Sequence, residues 1–318
     1  MRSLTSTQRR VLAEITWNCR MPVNQVAERL RLKTHTVRYA INHLNSLLNL
    51  QPFCFSSAYR LGLFPFRAYF SVNLSDKVKV SKMIEHLKKL PEMEWLYGLY
   101  GIYQFGMSLR VPSMRALNAL LTDFDSKFGD IINKKSISLF ERFTYYEPWL
   151  AHVGDGLRKT FEYSSGDEAV PLDSVDRNLL SIVRADAAAP VREIARKAGL
   201  PSSTVTYRLE KLKDQGVILG LAYTYENRTA GAEAFLIQIA IKGLGGHVVD
   251  SFFDFARSNH NVVWAAKMIG EWDVEMEVGV DSAFELDELI HQIYQCGKGS
   301  VREVLTHAWG REHVGRSS

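Results

Sequence analysis

Of the 318 residues in the chain, 46% are apolar, which is enough for two to four cores of ordinary domain size and excludes a disordered protein. The net charge is +4, and no apolar run approaches the ~18 residues needed to cross a bilayer, so we expect a soluble protein without a membrane partner. The cysteines Cys19, Cys54 and Cys296 are far apart and match no metal-binding spacing. They indicate reduced thiols in a cytoplasmic protein with no metal site or cofactor.

The chain contains a long internal repeat. Residues 4–44 align without a gap on residues 172–212 at an offset of 168, with 12 identities in 41 positions. The correspondence resumes at an offset of 169 over residues 95–120. The period is far too long for a solenoid, so the sequence predicts one two-part module written twice.

The first part of each module has the pattern of a helix-turn-helix, which is clearest in the second copy. Apolar residues from Leu172 to Val183 mark one face of a helix, and Pro190 suits the first turn of a short second helix. A third helix is predicted over residues 202–215. Gly199 permits the tight turn before it, whereas the first copy has Arg31 there, whose left-handed conformation would cost roughly 1–2 kcal/mol.

The outward face of each third helix carries short polar, aromatic and basic side chains, which could reach base edges and phosphates in a major groove. The predicted DNA-binding residues are His35, Thr36, Arg38, Tyr39 and Asn42 in the first copy, and Ser203, Thr204, Thr206, Tyr207, Arg208 and Lys211 in the second. Because the two sets differ at most positions, the two helices should prefer different bases. The alternative interpretation is a pair of plain interaction modules.

Charge supports binding of a polyanion by these small segments. Residues 1–51 carry a net charge of +6 and residues 172–225 carry +2. The larger segments differ in sign, at +4 for residues 52–147 and −6 for residues 226–318. Pairing of the first large segment with the second is therefore favoured, which suggests an intrachain pseudo-dimer.

The second part of each module has the pattern of a small α/β sandwich. Strands are predicted at 66–74, 94–100, 103–111 and 136–145, with helices at 77–90 and 113–127. The second copy has strands at 232–241, 262–269, 272–280 and 301–308, with helices at 247–258 and 283–294. This β-α-β-β-α-β order is the ferredoxin-like order, and its uncovered sheet face invites a partner sheet.

The sequence therefore predicts an α+β chain of two tandem modules, each a helix-turn-helix (winged-helix-like) domain followed by a ferredoxin-like βαββαβ domain. The predicted boundaries are 1–51 and 60–147 for the first module, 148–171 for a linker, and 172–225 and 230–312 for the second module. The linker contains Gly154-Asp155-Gly156 and has the composition of a solvated connector, although Leu157, Phe161 and Tyr163 are apolar enough to pack against a domain.

The second copy resembles the leucine-responsive regulatory protein (Lrp)/AsnC family of transcription regulators over residues 172–310, and the first copy resembles it more faintly over residues 4–146. The motifs that carry the resemblance are Leu172-Asp173, Asp176-Arg177, Ala195-Arg196-Lys197-Ala198-Gly199-Leu200, Ser203-Thr204-Val205, Arg208-Leu209, Gly216-Val217-Ile218 and Gly270-Glu271-Trp272-Asp273. Pro201 and Lys33 replace the serine that usually caps the third helix in this family, so we expect Ser202 and Thr34 to take over the cap.

The resemblance implies a small effector, commonly an amino acid, at the Gly-x-x-Asp turn. Gly270 would offer backbone groups to this ligand, and Asp273 would offer a carboxylate suited to an ammonium group. A structural turn glycine and a solvated acid are an equally good interpretation of this pair. The first copy has Gln104 in place of the acid.

The leading prediction is a DNA-binding transcriptional regulator that is not an enzyme, binds double-stranded DNA and forms further homo-oligomers. The tandem architecture also resembles the fused siroheme decarboxylases of haem-branch biosynthesis, which are enzymes. Those proteins would need histidines and arginines at the sheet face, whereas the corresponding strand ends here, 95–98 and 264–267, lack a basic cluster. The decarboxylase interpretation is therefore the alternative.

Overall fold

The computed structural model describes residues 4–152, 158–225, 233–243 and 246–315. The first half contains α1 (Ser6–Thr16), α2 (Val23–Leu30), α3 (Thr34–Leu48), β1 (Gln51–Ser56), β2 (Phe64–Val72), α4 (Lys77–Leu87), β3 (Met93–Tyr100), β4 (Phe105–Val111), α5 (Met114–Phe128), β5 (Ile132–Tyr146) and β6 (Thr160–Ser164). The second half contains α6 (Ser174–Ala185), α7 (Val191–Ala198), α8 (Ser202–Asp214), β7 (Ile218–Thr224), β8 (Glu233–Ile241), α9 (Gly246–Ser258), β9 (Val262–Ile269), β10 (Val274–Val280), α10 (Ala283–Cys296) and β11 (Val301–Gly315).

Each half begins with a three-helix unit, α1 to α3 or α6 to α8. Capping boxes at Thr5 and Asp173 satisfy backbone N–H groups at the first helix of each unit. The tight turn before the third helix is left-handed in both, with φ of +54° at Arg31 and +66° at Gly199. The left-handed conformation expected at Arg31 is therefore confirmed. The order of helices and strands in both halves confirms the predicted mixed α+β fold with helix-turn-helix domains.

The predicted capping of the third helices is wrong. Thr34 and Ser202 are already the first helical residues, and Lys33 and Pro201 occupy the cap positions in extended conformation. Among the described residues, neither cap position makes a side-chain hydrogen bond to its helix. A capping side chain has to come from the extended residue that precedes the helix, so a hydroxyl one position later does not replace it.

The two three-helix units contact each other directly. Strands β1 and β7 pair antiparallel, with Cys54 opposite Leu221. Arg20 Nε donates a hydrogen bond of 2.7 Å to the carbonyl of Ala187, and Cys19 Sγ donates to the same oxygen. Both Cys19 and Cys54 pack in the core of the second unit. Shared core and paired strands therefore join the two units that carry α3 and α8.

Eight of the other nine described strands, all except β6, form a closed barrel. The strand order is β2-β4-β3-β11-β8-β10-β9-β5, and β5 pairs back with β2. Strands of different halves pair at two seams, β3 with β11 and β5 with β9. The sequence predicted an uncovered sheet face awaiting a partner, but the structure joins the two sheets at their edges. Closure removes the exposed strand edges that would otherwise invite aggregation.

The barrel has separate cores on its two surfaces. Helices α4 and α5 cover one half through Met83, Leu87 and Phe124, and α9 and α10 cover the other through Phe252 and Ile293. A further cluster, rich in aromatic side chains, lines the interior, which we call the lumen, and continues to β1 and β7 through Phe55 and Ala222. Strand β11 runs past its predicted end at residue 308 because its later residues pair with β3 of the other half.

Part of the predicted linker 148–171 is ordered structure, which corrects the prediction of a solvated connector. Strand β6 extends the sheet beside β5, and Phe161 packs edge-on against Trp17 with ring centroids 4.2 Å apart. Arg158 is buried and donates to the backbone carbonyls of Glu147, Ala256, Asn259 and Val262. The predicted connector residues Gly154, Asp155, Gly156 and Leu157 lie outside the described residues.

Candidate functional site

The third helix of each unit presents an exposed polar face over a buried apolar one. On α3, His35, Arg38, Tyr39 and Asn42 are exposed and Thr36 is half-buried. On α8, Ser203, Thr206 and Tyr207 are exposed, whereas Thr204 and Lys211 are half-buried. Tyr39 and Tyr207 occupy equivalent positions and are 72% and 65% exposed, which is unusual for large aromatic side chains. All eleven predicted DNA-binding residues are therefore exposed or half-buried on α3 or α8.

Arg208 differs from the other ten residues, because its guanidinium forms ion pairs with two carboxylates of its own unit. Arg208 Nη1 lies 2.6 Å from Asp173 Oδ2 and 3.0 Å from Asp176 Oδ1. These carboxylates belong to the capping box of α6, so the arginine ties α8 to the start of α6. These ion pairs give Arg208 a structural role, and its contact with DNA stays a prediction.

Basic residues beside the third helices add to these faces and were not among the predicted contacts. Arg31 and Lys33 are exposed in the turn before α3, and Arg192 and Arg196 are exposed on α7. Guanidinium and ammonium groups at such places suit phosphate oxygens rather than base edges. Their signal in the sequence was the local excess of positive charge.

The Gly-x-x-Asp turn lies between β9 and β10. Asp273 Oδ2 accepts a hydrogen bond of 2.8 Å from the backbone N–H of Ile241. In the first half, Gln104 Oε1 accepts a hydrogen bond of 2.8 Å from the N–H of Val72, which is the equivalent position. The two side chains therefore do the same structural work, which explains how the first copy tolerates the change from acid to amide.

Gly270 is held against the first half of the barrel. A Cβ at this position would lie 2.1 Å from Ser138 Oγ, so only glycine fits without movement of β5. The equivalent Gly101 packs in the same way against His307, whose Nδ1 would be 2.3 Å from an added Cβ. The structure therefore gives both glycines a packing reason, and an effector at Gly270 and Asp273 stays a prediction.

The lumen contains a buried ion pair that crosses the two halves. Arg67 on β2 donates from Nη1 to Tyr97 Oη (2.5 Å) and Ser108 Oγ (2.9 Å), and its Nε lies 3.7 Å from Glu275 Oε2 on β10. Glu275 is fully buried and accepts a hydrogen bond of 2.8 Å from Tyr69. Burial raises the pKa of Glu275, and the charge of Arg67 opposes that rise. Sequence reasoning missed this cluster because its partners lie in different modules.

Several polar atoms around this pair have no hydrogen-bond partner among the described residues. They are Arg67 Nε, Ser138 Oγ, Gln238 Oε1 and both ring nitrogens of His307. His307 is fully buried beside Tyr103, and burial lowers the pKa of its imidazole to about 4. Buried polar groups without a partner are costly, so the lumen is chemically suited to hold water or a polar group.

Glu277 in the lumen should make the free energy of unfolding of the protein depend on pH. Burial raises the pKa of its carboxyl to about 7, although Trp264 Nε1 donates to it. The folded-state pKa lies above the unfolded value, so stability is lost as the pH rises from about 4.5 to about 7. We expect Glu277→Gln, which can still accept from Trp264, to raise the free energy of unfolding by about 2 kcal/mol near pH 8 and by little near pH 5. Urea denaturation at both pH values measures this, and equal effects would contradict it.

The described residues contain no group of three or more His, Cys, Asp or Glu side chains placed to hold a metal ion. Within the same ranges, no helix is long and apolar enough to cross a membrane.

Known proteins match this chain at two levels. The family model of winged helix-turn-helix DNA-binding domains matches residues 4–46 and 172–218. An uncharacterized HTH-type transcriptional regulator of Pyrococcus furiosus is 33% identical over 43% of this chain and 89% of its own length. The HTH-type transcriptional regulator FL11 of Pyrococcus horikoshii is 27% identical over 39% of this chain and 81% of its own.

A solved structure matches the whole chain. The crystal structure of the siroheme decarboxylase NirDL covers 98% of this chain and 95% of its own, with a TM-score of 0.63 and 13% identity. At this identity the likeness shows the fold alone.

Two winged helix-turn-helix units on one closed barrel define a tandem DNA-binding architecture. The chain belongs to the family of HTH-type transcriptional regulators. The prediction that the protein is not an enzyme is contradicted, because the siroheme decarboxylase structure that matches the chain over nearly its full length is that of an enzyme.

Proposed function

We propose that the protein is a sequence-specific DNA-binding regulator that places two unlike recognition helices, α3 and α8, on one asymmetric site. The observation that carries this proposal is the pair of exposed polar helix faces held together by one shared core. In a helix-turn-helix protein, the third helix of each unit is the one that enters the major groove. Two such helices in adjoining units suit two half-sites on one duplex.

The two helices differ in the chemistry that they offer to bases. Arg38 and Asn42 of α3 correspond to Thr206 and Glu210 of α8. Arginine suits the paired acceptors of guanine and asparagine suits adenine, whereas threonine can contact several bases. We therefore infer that the half-site read by α3 is the more restrictive one.

A mobility-shift titration tests this function with an operator selected from a random DNA library. We expect the affinity to fall about a thousandfold between about 50 and 200 mM salt, because binding at several phosphates releases counterions. We expect Arg38→Ala to relax selectivity in the α3 half-site only, and Thr206→Ala to act in the other half-site only. The proposal would be abandoned if no selected fragment bound, or if binding were insensitive to salt.

Finer features of the chain belong to the same proposal. We propose that each half of the barrel is a ferredoxin-like unit, since its strands lie in the order fourth, first, third, second. The intrachain pairing at the two seams would then replace a dimer of separate chains, and further assembly would join whole chains. An amino-acid effector at Gly270 and Asp273 would have to share the Asp273 carboxylate with the backbone N–H of Ile241, from which it already accepts a hydrogen bond.

A second candidate function is decarboxylation of a tetrapyrrole carboxylate. The specific observation in its favour is the lumen of a barrel whose whole fold matches a siroheme decarboxylase, with Arg67 and His307 among its buried groups. Arginine suits a carboxylate, and a neutral histidine can accept or donate a proton. Titration with siroheme distinguishes the two functions, since a shift of its Soret absorbance on binding supports this candidate and an unchanged spectrum dismisses it.

A further inference from the structure

The second helix-turn-helix unit is attached to the first half of the barrel by a buried cluster of three charged side chains. Glu94 on β3 has its Oε1 2.6 Å from Arg110 Nε on β4 and 3.2 Å from Arg184 Nη2 on α6. Arg110 Nη1 also donates a hydrogen bond of 2.9 Å to Ser56 Oγ at the end of β1. Glu94 is only 8% exposed. One carboxylate therefore links the sheet of one module to the DNA-binding unit of the other.

The two modules are not equivalent in this contact. The positions that correspond to Glu94 and Arg110 in the second half are Val263 and Gly279, and Thr16 corresponds to Arg184. Among the described residues, this repeat-related set offers no charged side chain for a second such cluster.

The first unit is held by a different contact. Trp17 Nε1 donates a hydrogen bond of 3.0 Å to Glu147 Oε1, and His152 Nδ1 lies 2.8 Å from the other carboxylate oxygen. Glu147 follows the end of β5 in the same half of the chain as Trp17, and His152 contacts Glu147. Each helix-turn-helix unit is therefore attached to the barrel by its own polar contact.

The charges around Glu94 make the free energy of this contact depend on where α6 places Arg184. Burial lowers the pKa of Arg184, and the neighbouring charge of Arg110 lowers it further, while Glu94 opposes both effects. Two guanidinium groups so close together are tolerated because the carboxylate lies between them. Sliding α6 along the barrel would leave like charges facing each other, so the cluster favours one placement of the second unit.

We propose that Glu94 and Arg184 are positioning residues that set the placement of α8 relative to α3, and thereby the spacing between the two half-sites in DNA. This inference rests on the proposed DNA-binding function. The spacing between the half-sites would then depend on the barrel and β1, which lie outside the surface that contacts DNA. The bases read within each half-site remain the property of α3 and α8.

The test uses Arg184→Met in the full chain, which removes the contact with α6 but leaves the pair of Glu94 and Arg110 intact. Probes carry the selected half-sites with the spacer unchanged or altered by one or two base pairs. We expect the wild-type protein to lose about tenfold or more in affinity when the spacer changes, since two linked sites must be engaged together. The variant should show less than about a threefold preference, with single half-site affinities within about twofold of wild type.

A second variant and a control complete the experiment. Glu94→Gln should relax the spacing preference in the same way, and Asp130→Asn, which removes the exposed pair with Lys79 on the barrel surface, should not. Retention of the wild-type spacing preference by a folded Arg184→Met protein would overturn the inference while leaving the DNA-binding function in place. Failure of the wild-type protein to bind any selected DNA would overturn the function and the inference together.

Discussion

Replacing Arg67 with methionine should lower the free energy of unfolding by about 3–5 kcal/mol near pH 7, as loss of one partner of a buried ion pair does. The substitution would leave the Glu275 carboxylate fully buried with no cation beside it. Methionine keeps most of the volume between the rings of Phe140 and Trp264, whose centroids lie 5.0 and 5.1 Å from the guanidinium carbon. The loss should therefore come mainly from the unpaired charge, and urea denaturation measures it.

The pH dependence and a double variant separate charge from packing. Without Arg67, the pKa of Glu275 should rise further, so the loss of stability should shrink as the pH falls from about 7 to about 5. Adding Glu275→Gln removes the charge and keeps an acceptor for Tyr69, while the amide of Gln238 can turn its unpaired oxygen toward the new donor. We expect this double variant to recover most of the stability. A double variant as unstable as Arg67→Met would show that packing, not charge, is responsible.

Local sequence pattern predicted the helices well. The third helix of the second unit was expected at residues 202–215 and is Ser202–Asp214, and the strand expected at 262–269 is Val262–Ile269. Both elements are defined by the spacing of their own apolar residues and by a proline or glycine at an end. Such signals act within a few residues, so they can be read from one sequence.

Contacts between distant segments could not be predicted in this way. Strand β6 was assigned to a linker because its five residues become a strand only through pairing with β5. Closure of the barrel depends on two seams between modules, for which a single sequence carries no local signal. Arg208 belongs to the motifs of the family resemblance, and no local pattern indicates its ion pairs, because the acids that bind it lie 35 and 32 residues earlier. The candidate site was therefore predicted at the recognition helices and missed in the lumen.

The two seams differ in the residues at equivalent positions of the repeat. At the seam of β3 with β11, Gly98 faces Gly310 at an irregularity in strand pairing. The equivalent residues at the seam of β5 with β9 are Lys267 and Glu141, which form an ion pair of 3.3 Å. One seam thus relies on close backbone approach and the other on side-chain charge.

Replacing Gly310 with alanine should therefore destabilise the protein by about 3 kcal/mol, at the upper end of the usual cost of overpacking. The added Cβ would lie 2.7 Å from the backbone carbon and oxygen of Gly98. Backbone atoms cannot rotate away as a side chain can, so relief requires the two strands to separate where the halves of the barrel join. Thermal denaturation followed by circular dichroism measures the effect.

The matched control is Glu141→Ala, which introduces the same residue at the equivalent position of the other seam. The Glu141 and Lys267 side chains are 26% and 41% exposed, so loss of their ion pair should cost less than about 1 kcal/mol. If both alanine variants lost the same stability, the close approach of Gly98 and Gly310 would not be a constraint on closure. A large loss confined to Gly310→Ala would mean that after duplication the first seam came to depend on backbone contact, while the second kept room for side chains at the same place.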